Sequence, residues 1–185
     1  LYEYTKSDSL RRHALGVEQV MGKMAEKYNG DPKEWKLTGL LHDFDYEMYP
    51  TAKDHPFKGV SILKENNYPE SICNAILGHA DYTGVPRETD MAKALFAVDE
   101  LTGFIFAVTY VRPSKSILEV KPKSVKKKLK QKSFAASVNR DDIYLGIQEL
   151  DLDLTEHIQF VIDALKEKAE ELGLKGTANA SPSRE

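Results

Sequence analysis

The stretch LTGLLHDFDYEMYP, residues 37–50, runs from a leucine-rich segment directly into histidine and aspartate. Its leucines recur at a spacing that places them on one buried helix face, namely Leu37, Leu40 and Leu41. His42 and Asp43 follow at the end of that predicted helix. A carboxylate in an apolar setting costs several kcal/mol unless a partner compensates its charge. The stretch therefore predicts a buried helix whose end faces a compensating group.

The composition is that of a folded domain rather than a disordered or membrane-embedded chain. Apolar residues make up 41% and charged residues 30% of the 185 residues. Because no apolar run approaches the roughly 20 residues that cross a bilayer, and no leader opens the chain, we predict a cytoplasmic protein without a membrane partner. The sequence begins at Leu1 rather than at methionine, from which we expect a trimmed or incomplete N-terminus.

Cysteine content and net charge narrow the chemistry further. Cys73 is the single cysteine, which excludes an intramolecular disulfide and a thiolate metal cage. Any metal would therefore be held by histidine and carboxylate. The net charge of -3 gives no global attraction to nucleic acid, so we do not expect a nucleic-acid partner. The oligomeric state stays open, with a homodimer as one option.

Helix signals recur along the whole chain, while alternating strand patterns are absent, which predicts an all-α, compact single-domain helical bundle. The predicted helices cover residues 9–28, 31–43, 89–112, 122–137, 141–150 and 155–172, with two more beginning at Pro56 and Pro69. We expect one domain over residues 1–172, made of a core at about 9–110 and a helical extension at 113–172. The small, polar residues 173–185 are expected to form a disordered tail.

Three predicted helices each carry one metal-ligand side chain, His13, His79 or Asp99, on the inward face. A single histidine on such a face is more often a satisfied core residue, and Asp99 alone could pair with an arginine. Several imidazoles and carboxylates that converge would need separate partners, whereas one or two divalent cations compensate all of them. Such ligands favour iron, manganese, cobalt, nickel or zinc over calcium.

The order His13, then His42-Asp43, then Asp99 resembles the HD superfamily of metal-dependent phosphohydrolases, all-α proteins in which those four side chains hold a metal. The resemblance covers roughly residues 9–110, where LRRHALGVEQV and ALFAVDELTGF surround the upstream and downstream ligands. It implies hydrolysis of a phosphoester or phosphoanhydride of a small metabolite or nucleotide. The attacking group would be a metal-bound hydroxide, since a divalent metal lowers the pKa of its water.

Two further histidines resemble the extra ligands of the binuclear branch of that superfamily. That branch includes dinucleoside-tetraphosphate hydrolases, cyclic-nucleotide phosphodiesterases and a few di-iron oxygenases. By this resemblance the first metal is bound by His13, His42, Asp43 and Asp99, the second by His55 and His79, with Asp43 as the bridge. The alternative for His55 is a surface histidine beside Pro56. His157 has no partner pattern and is expected to be structural or exposed.

The residues after the HD pair depart from the pattern of many relatives, which continue with isoleucine, glycine and a substrate-binding lysine. Here Phe44-Asp45-Tyr46 follows, so another residue takes the charge-handling role or the substrate differs. Asp45, Asp81 and Glu100 are the acids nearest to the ligands in sequence. We expect them to orient the nucleophilic water or to hold a ligand imidazole.

An anionic substrate requires cations beside the metal. Arg112 and Lys115 follow the fifth predicted helix, and Lys126 and Arg140 lie on the next two, so these four are the expected phosphate contacts. The lysine-rich segment KPKSVKKKLKQK, residues 121–132, is for the most part better interpreted as a solvated helix face.

Two functions other than phosphoester hydrolysis stay open. Relatives with the same six ligands activate dioxygen when iron occupies both positions, which makes a di-iron oxygenase the main alternative. The other is a non-catalytic HD module that binds a nucleotide, against which the presence of every ligand type argues. Oxygen consumption by the ferrous protein would separate the first alternative from hydrolysis.

Overall fold

The computed structural model describes residues 1–176 as a bundle of eight α-helices, and no strand occurs within that range. The helices are α1 (Asp8–Tyr28), α2 (Pro32–Leu41), α3 (Phe57–Glu65), α4 (Glu70–Gly78), α5 (Asp90–Tyr110), α6 (Pro122–Leu129), α7 (Arg140–Glu149) and α8 (Leu154–Lys166). Two short 3₁₀ turns lie at Asp81–Thr83 and Ile117–Glu119. The all-α prediction is confirmed.

The hairpin of α1 and α2 places the first two histidines side by side. Asn29 closes α1 in the left-handed region with φ 54°, and Asp31 caps α2 by accepting from the Lys33 N–H at 2.9 Å. The antiparallel helices approach closely at Gly39, where a Cβ would lie 2.9 Å from the Val17 carbonyl oxygen. About one turn from this contact, the rings of His13 and His42 lie 5.2 Å apart.

Helix α5 is the central element and contacts α1, α2, α4, α6, α7 and α8. It is apolar on nearly all sides, and Leu95, Val98 and Leu101 are fully buried, as expected for a helix surrounded by neighbours. The Thr89 hydroxyl caps it by accepting from the Ala92 N–H at 3.2 Å. Beyond its first residue, the acidic residues of α5 are Asp99 and Glu100, which lie at the candidate site described below.

A second, smaller core forms between α2, α3 and α4. Its buried members are Leu41, Phe44, Val60, Leu63, Ile72, Cys73 and Ile76. Helices α3 and α4 begin directly after Pro56 and Pro69, as predicted. Phe57, the first residue of α3, lies outside this core and is 40% exposed.

Helices α6 and α8 are shorter than their apolar patterns predicted. Helix α6 ends at Leu129 instead of 137, because the Arg140 guanidinium donates to carbonyl groups of the following loop and holds it out of helical geometry. The acceptors include Leu129 O and Val138 O, both at 3.1 Å, and Phe134 O. Helix α8 ends at Lys166, and turns replace helix over the predicted residues 167–172.

The structure corrects the predicted start of the polar tail at residue 173. Leu174 is fully buried in the main core, and its carbonyl oxygen accepts from the Ile117 N–H at 2.8 Å. The rest of the predicted tail, residues 177–185, lies outside the described residues. None of the helices within residues 1–176 combines the length and the apolar character required to cross a membrane.

Candidate metal centre

Three side chains from separate helices form a first ligand group, which consists of His13 on α1, His42 at the end of α2 and Asp99 on α5. The Nε2 atoms of His13 and His42 lie 2.9 and 3.2 Å from Asp99 Oδ1. All three ligand atoms lie within 4.8 Å of one another. Since imidazole and carboxylate ligands bind transition metals at about 2.0–2.2 Å, one ion can contact all three.

A second ligand group consists of Asp43, His55 and His79, which lie between helices or at a helix end. Asp43 Oδ1 lies 3.1 Å from His55 Nε2 and 3.3 Å from His79 Nε2. These three ligand atoms also lie within 4.8 Å of one another. The group thus repeats the composition of the first, with two imidazoles and one carboxylate.

The Asp43 carboxylate lies between the two groups. Its Oδ1 faces the histidines of the second group, while its Oδ2 lies 3.5 Å from Nε2 of His42 in the first group. A carboxylate with one oxygen toward each of two ligand sets has the geometry of a bridging ligand. The resemblance implied a bridging role for Asp43, and this position between the two groups is consistent with it.

Backbone carbonyls select the imidazole tautomer that leaves Nε2 available. His42 Nδ1 lies 2.7 Å from Gly39 O, and His79 Nδ1 bonds to Ile76 O. Because a carbonyl oxygen only accepts, each Nδ1 must carry the hydrogen. His42 Nε2 is buried and makes no hydrogen bond within the described part of the chain, although it faces Asp43 and Asp99. A buried lone pair that faces carboxylates fits a bound cation.

Asp45 orients His55 rather than lining the site. Its buried carboxylate lies with Oδ1 2.8 Å from His55 Nδ1, and its Oδ2 accepts from the Gly59 N–H at 2.7 Å. Glycine is required at position 59, because a Cβ there would lie 2.6 Å from Asp45 Cγ. A carboxylate behind a ligand imidazole fixes its ring and raises its basicity. Of the two roles expected for Asp45, the geometry favours holding the ligand.

The charges of the two groups are tightly coupled. Burial alone would lower the pKa of His42, but Asp43 and Asp99 outweigh it and raise that pKa to about 10. Burial would also lower the pKa of His55, but Asp43 and Asp45 outweigh it and raise that pKa to about 9. Burial would raise the pKa of Asp43, yet the surrounding histidines hold it well below its usual range. The carboxylates thus attract positive charge to the imidazoles, whether a proton or a metal ion.

The ligand groups open into a cavity of about 600 Å³. Its charged or polar walls are formed by His13, Asp43, Tyr46, His55, His79, Asp81, Tyr82, Asp99, Glu100, Ser137, Asn139 and Asp142. Five of these are carboxylates, and no lysine or arginine within residues 1–176 contributes to the lining. Burial, and then repulsion from Asp99, raises the pKa of Glu100 to about 8.

Comparison with known families places this ligand arrangement in context. The sequence model of the HD-domain family matches residues 10–103, a range that includes the six residues of the two groups. The chain belongs to the HD-domain family. HD domains bind divalent metals, and their superfamily is one of metal-dependent phosphohydrolases, which agrees with the two His/Asp groups found here.

One relative of this HD domain is Ribonuclease Y of Chlorobium chlorochromatii (strain CaD3), which is 26% identical over 94 residues. The match covers 51% of this chain and 18% of that protein. The chain thus matches less than a fifth of the length of this curated relative. No solved structure matches the chain.

The four basic residues expected to contact phosphate are absent from the lining of the HD-domain cavity. Arg112 lies 3.5 Å from Glu119, Lys126 Nζ donates to the Thr155 hydroxyl at 2.8 Å, and Arg140 holds loop carbonyls. Lys115 lies in the turn after α5, with φ 49°. The expectation is wrong for their location, because sequence proximity to the metal-bearing helix did not translate into spatial proximity to the cavity.

The other acids and the fifth histidine considered in the sequence analysis lie either in the wall of the cavity or in the interior of the protein. Glu100 and Asp81 line the cavity, and Asp81 is bound by Arg87 at 2.7 Å. His157 is buried, with Nε2 3.0 Å from the Ala97 carbonyl oxygen, which confirms the structural one of its two expected roles. Neither Asp45 nor His157 takes part in the cavity wall.

Several residues of this HD-domain site escaped sequence reasoning. The Tyr82 hydroxyl donates to the His55 carbonyl oxygen at 3.0 Å, and Asn139 and Asp142 reach the cavity from beyond the family match. Their contacts join residues far apart in sequence, which no helical spacing reveals. A signal for them in the sequence is the cluster of polar residues in VNRDD, residues 138–142, at the start of the helix predicted over 141–150.

Proposed function

We propose that this HD domain is a metal-dependent phosphohydrolase with two divalent ions, one in each ligand group. The observation that carries the proposal is the position of Asp43, whose two oxygens face two sets of histidines. Ions held there would acidify a water to supply a nucleophile near neutral pH and would neutralise the oxygens of a phosphoryl group. Iron, manganese, cobalt, nickel and zinc all suit these ligands.

Four acidic residues would have separate roles in this centre. Asp43 sets the separation of the two ligand groups, and Asp45 fixes the ring of His55 through Nδ1. Glu100 lies on the wall next to Asp99, where its carboxyl group can hold a water or take a proton from it. Asp81, bound to Arg87, shapes the wall beside His79 instead of handling a proton.

The cavity favours a small substrate of low negative charge. Its volume of about 600 Å³ is in the range of small-molecule pockets, enough for a phosphorylated metabolite or a mononucleotide. Since the described part of the chain lines the cavity with five carboxylates and no lysine or arginine, the ions would attract the phosphoryl group. The three carboxyl groups outside the ligand groups, Asp81, Glu100 and Asp142, supply no positive charge for additional phosphates.

This wall argues against RNA as the substrate, although the relative from Chlorobium is named a ribonuclease. Affinity for a nucleic acid comes mainly from lysine and arginine contacts to phosphates. The lysine-rich helix α6 contributes no residue to the lining of the cavity. We therefore propose a small phosphorylated substrate.

The test is a panel of phosphorylated metabolites and nucleotides, assayed for phosphate release after the protein has been loaded with manganese, cobalt, iron or zinc. We expect metal-dependent release from at least one monophosphorylated compound, and loss of that release in Asp43→Asn. Asp163→Asn, on the exposed side of α8, is the matched control and should keep wild-type activity. Phosphate release that survives metal removal, or that Asp43→Asn retains, would sink the proposal.

A second function is favoured by the composition of each ligand group. Two histidines and one carboxylate form the ligand set that non-haem iron oxygenases use. A di-iron oxygenase is therefore the alternative, and the ferrous protein should then consume oxygen in the presence of a substrate. Oxygen uptake without phosphate release in the same panel would favour this alternative over hydrolysis.

A further inference from the structure

Arg87 makes a dense set of contacts next to the second ligand group. Its Nη1 donates to the Gly78 carbonyl oxygen at 2.8 Å and to Asp81 at 2.7 Å. Its Nε and Nη2 donate to the two oxygens of Glu149 at 2.8 and 2.6 Å. The side chain is only 9% exposed, and its guanidinium carbon lies 3.6 Å from the centre of the Phe96 ring.

These contacts hold the segment that carries His79. Gly78 is the last residue of α4, where carbonyl groups lack helical partners, and Arg87 supplies one. A Cβ at Gly78 would lie 3.0 Å from Arg87 Cγ, so the arginine packs directly on this turn of backbone. Asp81, two residues after His79, is bound by the same nitrogen. The ligand thus lies between two points that one guanidinium fixes.

Glu149 connects this guanidinium to the helical extension. It is the last residue of α7, well beyond the family match that ends at residue 103. The two parallel hydrogen bonds between Arg87 and Glu149 form the bidentate geometry that is strongest and most directional for this pair. The extension therefore sets the position of Arg87, which in turn sets the end of α4.

The first ligand group lacks a connection of this kind. His13 and Asp99 lie within α1 and α5, and His42 bonds to Gly39 of its own helix. Within residues 1–176, Arg87 forms no hydrogen bond to any of these three residues. A disturbance of the Arg87–Glu149 pair should therefore reach the two groups unequally.

We propose that the Arg87–Glu149 pair is a positioning device for the second ligand group, through which the extension controls binding of the second ion. The inference rests on the proposed two-ion centre. Substitutions of residues that orient metal ligands typically weaken binding by 10–100-fold, and Arg87 acts through the backbone, so about tenfold is expected. The first ion should bind as in the wild type.

The test titrates the full chain with manganese after chelator treatment, counting free ions by electron paramagnetic resonance and detecting the ion pair by its exchange-coupled signal. Arg87→Lys keeps the positive charge but cannot form the two parallel hydrogen bonds to Glu149. Glu149→Gln keeps the shape of the side chain but loses its negative charge. Arg11→Lys is the matched control, since Arg11 likewise donates to a backbone carbonyl oxygen, that of Thr5. Glu167→Gln removes an exposed ion pair with Lys23. Melting temperatures are measured for all variants.

We expect Arg87→Lys and Glu149→Gln to bind the first ion as the wild type does and the second about tenfold more weakly. The exchange-coupled signal should then be lost at low manganese. The two control variants should bind both ions as the wild type does. Equal weakening of both ions, with a lowered melting temperature, would mean a purely structural pair and overturn the inference. Wild-type binding of two ions in both variants would overturn it too and leave the proposed function intact. A wild-type chain that binds fewer than two ions overturns the proposed function and this inference with it.

Discussion

The two ligand groups have the same composition but are held in different ways. His13, His42 and Asp99 lie in or directly after α1, α2 and α5, and these helices pack tightly against one another. Asp43 and His55 lie between α2 and α3, and His79 follows the nine-residue helix α4. The first group is thus a product of helix packing, whereas the second depends on individual contacts.

Those individual contacts are the supports of the second group. Asp45 and the Gly59 N–H fix His55, while Arg87 fixes the backbone beside His79. A ligand carried by a short helix or a loop has more conformational freedom than one within a long buried helix, so it requires such supports to remain in place. The comparison teaches that the second ion position should be the more easily lost.

The largest effect is expected from Asp43→Asn, since Asp43 faces both groups. An amide cannot bridge two cations with two anionic oxygens, so we expect both ions to bind more weakly. Catalysis by bound metal is worth several kcal/mol, so kcat/KM should fall about 1000-fold or more. Metal content by mass spectrometry and phosphate release from the best substrate are the measurements. If Asp43→Asn retained two ions and full activity, Asp43 would not be a bridging ligand of the two groups.

The next effect separates the groups directly. In His42→Gln the first ion should be lost, and in His79→Gln only the second, so each variant is expected to keep a single ion per chain. Because His42 is fully buried whereas His79 is 8% exposed, His42→Gln should also lower the melting temperature more. Calorimetric titration with manganese, together with thermal melts, tests both statements. Loss of both ions in His79→Gln would contradict the independence of the two groups.

A smaller effect is expected from Asp45→Asn. The amide can still accept from the Gly59 N–H, but it provides no negative charge behind His55. We expect the second ion to bind about 10–100-fold more weakly, with the first unchanged. Asp54→Asn is the control, since Asp54 accepts only from the Thr51 hydroxyl on an exposed loop. An unchanged second ion would show that helix packing alone fixes His55.

Helical spacing alone places His13 and Asp99 on inward faces, and the structure brings these two side chains together with His42. The sequence also predicted the helix starts at Pro56, Pro69 and Thr89, which depend on local rules for proline and capping. The support that Arg87 and Glu149 give to the second group was beyond such rules. Arg87 and Glu149 are 62 residues apart, and their pairing results from the packing of α7 against α5. The same reason explains the misplaced basic residues.

The smallest effect concerns His157, a buried histidine that contacts a carbonyl oxygen instead of carboxylates and therefore contrasts with both groups. Burial lowers its pKa from 6.5, only partly opposed by the Ala97 carbonyl. The unfolded chain then binds a proton at this residue that the folded chain does not. The free energy of unfolding should decrease as the pH falls below about 6.5, by no more than about 1.4 kcal/mol per pH unit.

In His157→Gln the amide can still donate to the Ala97 carbonyl oxygen but has no proton to gain. The variant should therefore lose less stability than the wild type between pH 7.5 and 5.5, measured by urea unfolding of both chains in chelator. All other residues are the same in both proteins, so the difference isolates residue 157. Equal losses would mean that this histidine takes up a proton to the same extent in the folded and the unfolded chain. Burial without a counter-charge would then leave its pKa unchanged, and the contrast with the carboxylate-bound histidines of the metal centre would lose its basis.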